Sequence, residues 1–501
     1  MNIFAYFKKK GIDTVDPSFY RKIDEWQSWY SSNVRRFHFY RVYNGKGYCR
    51  CRRRSLGMAK KVCEDIANLL LNERVKFTVG DTDPQDEAGR VTDASANATY
   101  DFLTSVLEEN RFWKLGNEFQ ERKAALGTVA YVPYIADASV DAEGRISGGD
   151  VKINYIKAGN IFPITWENGR VIEAAFIFPK ICQGKKYVQV AFHRLESTRA
   201  EDGSVRKEYV IENSVVECGI GSGSGAEIEP SRWKEIPAFM DLAERIETGS
   251  DRPQFVIDTL NIANNLDQND EDTANPMGIS IFANAVDALA TADLQYDSYG
   301  SEFDLGRKRI FVAPELLSMG PDGNPTFDPN DTVFYQLPED YFSKTNEAIH
   351  EVNMDLRVEP HSKAISDSLN YISMKCGFGQ DHYKFEAGQV KTATEVISAN
   401  SELFRTLVKH ELVLDHVLRE LFRIIIRLGA ATGVPNISDE LPIRIAFDDS
   451  IIEDKAAERQ QDRQDVSMGA MSLAEYRAKW YGETESDAAE RLPDQTGGVM
   501  P

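Results

Sequence analysis

Residues 392–429 read TATEVISANSELFRTLVKHELVLDHVLRELFRIIIRLG, and this stretch decides the fold. Thr392 and Glu395 make a capping-box pattern, in which a hydroxyl and a carboxylate each satisfy a free backbone N–H at a helix start. From there Leu403, Leu407, Leu414, Leu418, Leu421, Ile425 and Leu428 recur at helical spacing along one face, and Gly429, after Arg427, is the expected stop. At the usual rise per residue such a helix spans roughly 55 Å. That is far longer than the globular average and suits a strut inside a large assembly. His410 and His416 lie on this helix six residues apart, about 240° around it, so they read as surface histidines and not as a zinc pair.

Working back from this helix, Gly377, Gly379 and Gly388 mark a loop, preceded by a helical stretch from about Glu359 to Cys376. Before that lie Pro and Gly punctuation and two strand-like pieces, Ile310 to Val312 and Thr332 to Leu337. The segment from Pro253 to Gly306 holds no Lys or Arg, yet carries Asp258, Asp267, Asp270, Glu271, Asp272, Asp287, Asp293, Asp297, Glu302 and Asp304. Its second half, about Ile279 to Leu305, reads as a helix with Phe282, Val286 and Leu289 on one face, and Arg307, Lys308 and Arg309 follow at once.

Residues 126–218 change period. Val151 to Ile156, Ala174 to Phe178, Tyr187 to Phe192 and Tyr209 to Ile211 are β-branched or aromatic runs, and Asn168-Gly169 between two of them supplies the positive φ angles of a tight hairpin. An antiparallel meander is expected, followed by a Gly/Ser loop at 219–225. The first hundred residues read as helical: Trp26, Trp29 and Tyr30 share a face, and Ser55 is a good N-cap for a helix striped by Ala59, Val62, Cys63, Ile66 and Leu70. Between these, Arg50, Arg52, Arg53 and Arg54 form a basic cluster that reads as a solvated or subunit-facing patch, with a phosphate contact as the alternative. After Ser450 the tail is charged, with a short helix around Leu473 to Trp480.

A length of 501 residues allows about three domains, and 42% hydrophobic residues supply real cores. The formal charge of −21 argues against a polyanion binder held by bulk charge, while leaving local basic patches open. Six scattered cysteines do not make a disulfide scaffold, which points to a reducing compartment. Met1 to Lys10 has the wrong order for a secretion signal, and Leu421 to Leu428 is interrupted by Arg423 and Arg427, so neither secretion nor a membrane span is expected.

The chain lacks a G-x-x-x-x-G-K-[ST] phosphate loop and a G-x-S-x-G nucleophile elbow. Gly221, Gly223 and Ala226 fit a dinucleotide pattern, but Glu227, Glu229 and Pro230 stand where an apolar helix should begin. Cys49 and Cys51 are too close for a zinc pair and read as alternate residues of a strand; Asp81, Asp83 and Asp86 lack the Gly and closing Glu of a calcium loop. No catalytic, metal or cofactor site is expected, although a scattered carboxylate site of a metal-dependent DNA-processing enzyme stays an alternative.

Taken in order, Trp26-x-x-Trp29-Tyr30, residues 37–40 (FHFY), 55–65 (SLGMAKKVCED), 275–280 (NPMGIS), Tyr296-Asp297-Ser298 and 391–396 (KTATEV) resemble portal proteins of tailed bacteriophages, and more narrowly those of siphophages and prophages of Gram-positive bacteria. The resemblance spans nearly the whole chain. It implies an α+β subunit with a helical and β wing over 1–278, stem helices at 279–305 and 359–376, and a small α/β clip between them at 306–358. It further implies a tunnel loop at 377–391, a long wing helix at 392–429 and a helical crown and tail at 430–501. The subunits would form a ring of typically twelve copies at one capsid vertex, in the virion and, during assembly, in the host cytoplasm. Double-stranded DNA would pass through the ring, which would dock the terminase large subunit and a head-tail connector beside the major capsid and scaffolding proteins. A capsid-associated protein without a channel is the other structural alternative. On this likeness Gln380, His382, Tyr383 and Lys384 would touch DNA, while Asp287, Asp293 and Asp297 would line the channel and repel the duplex over a screening length of about 8 Å. Arg307, Lys308 and Arg309 would sit at the clip, against a neighbour or exiting DNA.

Overall fold

In the computed structural model of this chain, the long helix runs from Ala393 to Ala431, 39 residues. The structure describes residues 3–43, 47–72, 74–80, 94–140, 146–199, 205–218, 225–266, 275–306, 309–312, 318–319, 325–326, 334–336, 349–352, 355–383, 393–447, 455–481, 488 and 491–492. Leu403, Leu407, Leu414, Leu418, Leu421 and Ile425 are buried as their spacing requires. They pack on the strands Val256–Thr259 and Thr128–Ala136 and on the helix Ala94–Glu109. Each such side chain removed from water contributes roughly 1.5–3 kcal/mol, which holds the helix to the body of the protein. Thr392 of the expected capping box lies outside the described residues. The stop is not Gly429, which is helical and buried because the Phe102 ring lies where a Cβ would be, 2.3 Å away. Gly433 closes the helix instead. At φ 93° it donates its N–H to Ala430 O while the Val434 N–H reaches Gly429 O, the paired bonds of a Schellman ending.

The meander forms over residues 161–228, but Val151 to Ile156, expected as part of it, pairs in a separate sheet. Strands Ile161–Glu167, Arg170–Cys182, Lys185–Arg199, Val205–Cys218 and Gly225–Ile228 lie side by side in sequence order, all antiparallel, and Arg245–Glu247 pairs on Val205–Cys218. Asn168 and Gly169 take φ values of 51° and 76° at the first turn, as that dipeptide allows. A second sheet sets Thr128–Ala136 between Asp150–Lys157 and Val256–Thr259. One hydrophobic core runs from Phe7 through both sheets to Ile443, and a small satellite core of Tyr187, Val215, Ile228, Trp233 and Phe239 lies under one face of the meander.

Three other boundaries move. The helix expected at Ser55 is Met58–Leu70, because Ser55 Oγ accepts the Gly57 N–H in a turn and Gly57 enters the helix at φ 68°. The acid-rich helix begins at Val286, not Ile279. Residues 277–281 instead run without regular structure against the end of the helix Phe112–Leu126, with Ile281 N–H and Ser280 Oγ both donating to Ala124 O. In the tail, a helix Lys455–Met468 accompanies the expected Leu473–Tyr481, whose start is closed by a reciprocal Ser472–Glu475 box. Tyr476, Lys479 and Trp480 bind back to Arg459, Arg463 and Asp462, so polar contacts hold these two helices together.

Between the acid-rich helix and the next one, the described residues carry a three-stranded sheet. Arg309–Val312 pairs parallel with Phe334–Gln336 and antiparallel with Ile349–Val352.

Candidate functional site

The helices Val286–Leu305 and Val358–Lys375 pack antiparallel. Three contacts set their register: Lys375 Nζ to Asn284 O at 2.9 Å, Ser368 Oγ to Gln295 Oε1 at 2.8 Å, and a two-pronged clasp of Arg357 on Glu302 at 2.9 and 2.7 Å. Hydrogen bonds from Arg357 hold the Glu302 carboxyl down to about 2. His361 stands 3.7 Å from the same carboxylate.

The cation-free run takes its cations from elsewhere in the chain. Asp293 is buried and does not line any open surface: Oδ1 accepts the Leu56 N–H at 2.8 Å and Oδ2 lies 3.0 Å from His38 Nε2. The Val34 N–H donates to His38 Nδ1, so Nε2 carries the ring proton and donates it to Asp293. Asp297 accepts the Arg54 N–H at 3.0 Å and lies 3.7 Å from Arg53 Nε, and Asp304 pairs with the Arg54 guanidinium at 2.7 Å. Asp297 is therefore a brace with little free aspect. Asp287 alone of the three expected lining acids is exposed.

The loop after Cys376 is tied down at its start. Gly377 and Gly379 adopt φ values near 82° and 81°, Phe378 is buried, and Ser373 Oγ donates to Gly379 O at 2.6 Å. Tyr383 is half-buried and its hydroxyl donates to Asp65 Oδ2 at 2.9 Å, with burial and then Asp65 raising its pKa. Gln380 and His382 are exposed. The His382 ring lies 4.8 Å from Phe378 and 4.7 Å from Tyr383, and desolvation of its inner side against these rings lowers its pKa. Lys384, Arg307 and Lys308 lie outside the described residues, and Arg309 opens a strand.

Two buried polar groups are prominent in the structure, one of them expected at the surface. Lys123 and Asp258 form a fully buried ion pair at 2.9 Å, with Gln120 Nε2 donating to Asp258 at 2.8 Å and to the Tyr131 hydroxyl at 3.0 Å. His410 is not a surface residue: it is buried, its Nδ1 accepts the Asn261 N–H at 3.1 Å, and burial lowers its pKa to about 3. The signal was present, since His410 falls three residues after Leu407 and four before Leu414 on the buried stripe. Among the described residues no cluster of His, Cys, Asp and Glu is placed to hold a metal, and no helix is long and apolar enough to cross a membrane.

Residues 10–496 match the family model "Phage portal protein, SPP1 Gp6-like", and the chain belongs to that family of portal proteins. That family is a structural one. No curated protein matches. Among solved structures, a chain of the "Neck of native GTA particle computed with C12 symmetry" is similar, at 11% identity and a TM-score of 0.36, covering 84% of this chain and 88% of that one.

Proposed function

We propose that copies of this chain close into a ring, twelve by the portal pattern, at one vertex of a phage capsid. Double-stranded DNA enters through that ring during packaging and leaves through it at ejection. The observation that carries the reading is the family match over residues 10–496.

On this reading residues 1–278 are the wing, the helix pair Val286–Leu305 and Val358–Lys375 is the stem, and the small sheet between them is the clip. The clip, with Arg307, Lys308 and Arg309, docks the terminase large subunit and the head-tail connector. The helix Ala393–Ala431 braces wing to stem, and residues from 430 onward form the crown. Exposed Asp287 keeps the role of a repelling acid along the channel, and the loop from Gly377 offers Gln380, His382 and Lys384 to the duplex. A channel works best with few fixed cations, because each phosphate neutralised adds salt-dependent affinity and so drag.

Negative-stain microscopy with mass photometry of the purified chain tests this. A ring of about twelve subunits with a central hole is expected on the portal pattern; a particle that stays monomeric at every concentration and salt overturns it. The double substitution Lys384→Ala with His382→Ala is expected to leave the ring intact and change packaging or retention of DNA. Unchanged packaging and retention would remove the loop from the contact surface.

A further inference from the structure

A two-stranded ribbon, Phe39–Tyr43 paired with Tyr48–Arg52, carries Arg41, Arg50 and Arg52 on the surface of an acidic chain. In its register Arg41 and Arg50 are directly opposite each other. Like charges at opposed positions of an antiparallel pair destabilise it, unless something negative lies between or above them. Both line an open cleft of about 420 Å³ whose other walls are Arg35, Arg36, Phe39 and Tyr40. All four arginines are exposed, and among the described residues none has an ion-pair partner. Arg53 and Arg54, by contrast, are matched by Asp297 and Asp304.

The guanidinium of Arg50 stands 4.9 Å from the centroid of Phe39, and Arg52 stands 5.9 Å from the same ring. An aromatic face holds a guanidinium flat and leaves its N–H edge free to grip an oxyanion with two bonds. Exposed Tyr43 and Tyr48 meet edge to face at 5.4 Å beyond it. Four cations without an ion-pair partner among the described residues, two from the short helix Arg35–His38 and one from each ribbon strand, converge on one cleft and fit a ligand with closely repeated negative charge. Duplex DNA, with one charge per about 1.7 Å, has that form.

The geometry points to the arginine ribbon as a binding site for the phosphodiester backbone of double-stranded DNA, separate from the helix pair and the glycine loop. It rests on the portal reading only for the choice of DNA as the polyanion. A duplex gripped here would be held at the phosphates without selection of sequence.

The test is fluorescence anisotropy of a short labelled duplex with the full chain across a salt series. Arg41→Gln with Arg50→Gln is expected to weaken binding by about tenfold or more and to flatten the salt slope by about two, one for each phosphate no longer neutralised. Arg35→Gln with Arg36→Gln probes the same cleft from its other wall and is expected to act alike, while Arg41→Lys with Arg50→Lys retains most of the slope. Circular dichroism of each variant should match the parent, since all four side chains are exposed. Equal binding by parent and variants, or none by the parent, overturns the site. A variant that binds the duplex normally but no longer assembles assigns the cleft to a second copy of the chain and also overturns it. Failure of the parent to form rings would sink the portal reading and leave the binding result standing by itself.

Discussion

Gly127 and Gly278 lie back to back: a Cβ on Gly127 would stand 2.2 Å from Gly278 O, and one on Gly278 would stand 2.4 Å from Gly127 O. Gly127 also holds φ at 80°, where an L side chain is strained. The contact locks the irregular run before the helix Val286–Leu305 to the junction between the helix Phe112–Leu126 and the strand Thr128–Ala136. Backbone cannot yield as a side chain can. Gly278→Ala is therefore expected to cost about 3 kcal/mol or more, at the top of the range for overpacking, and to lower the melting temperature clearly. A melting curve that matches the parent would show that the two segments can separate without loss.

Removing one member of the Lys123–Asp258 pair leaves a charge buried with no counter-ion. Lys123→Met and Asp258→Asn are each expected to destabilise by about 3–5 kcal/mol in chemical denaturation. Replacing both by apolar residues of similar volume should cost less than either single change, and a double variant as unstable as the sum would contradict that reading.

Acid should loosen the fold well above the carboxylate range. His410 and His193 are both buried with pKa values lowered by burial to about 3, His193 packed edge-on against the rings of Phe176 and Phe255. The unfolded chain takes up protons on these rings near pH 6.5 and the folded chain does not, so stability is full above about 6.5. It falls as pH drops from there toward 3, by up to about 1.4 kcal/mol per pH unit for each histidine. His193→Gln and His410→Gln should each flatten the slope of melting temperature against pH between 6.5 and 5; an unaltered slope would show that the rings are not the source.

Thiol chemistry offers a simple map of burial. Cys63 and Cys376 are buried, and burial pushes both thiols up, Cys376 to about 12, while Cys49 is exposed on the ribbon. A thiol reagent applied to the folded chain is expected to label Cys49 fast and to spare Cys63 and Cys376 until denaturant is added. Early labelling of Cys376 would mean that the glycine loop opens in the folded protein.

Periodicity carried most of the fold. The leucine stripe, the alternating runs of the meander and Asn168-Gly169 each depend on neighbours close in sequence, and each formed where local spacing put it. What failed depended on distant partners. Gly429 resembled a stop, but the ring that needs its missing Cβ belongs to Phe102. Ile279 to Phe282 had helical composition, yet Ile281 N–H and Ser280 Oγ bond to Ala124 O and the helix starts later. Asp293 and Asp297 looked like open acids because their partners, His38, Arg53 and Arg54, lie some 240 to 255 residues upstream. The arginine cluster was visible in the sequence, whereas the cross-strand facing of Arg41 and Arg50 needed the hairpin register.

Asp293, Asp297 and Asp304 are spaced by four and seven residues, so they form one row along the acid-rich helix. His38, where the chain goes into the ribbon, and Arg53 and Arg54, where it comes out, are all fastened to that row. Both ends of the ribbon thus stand on one helix face, and three acids from a single helix fix where its base sits.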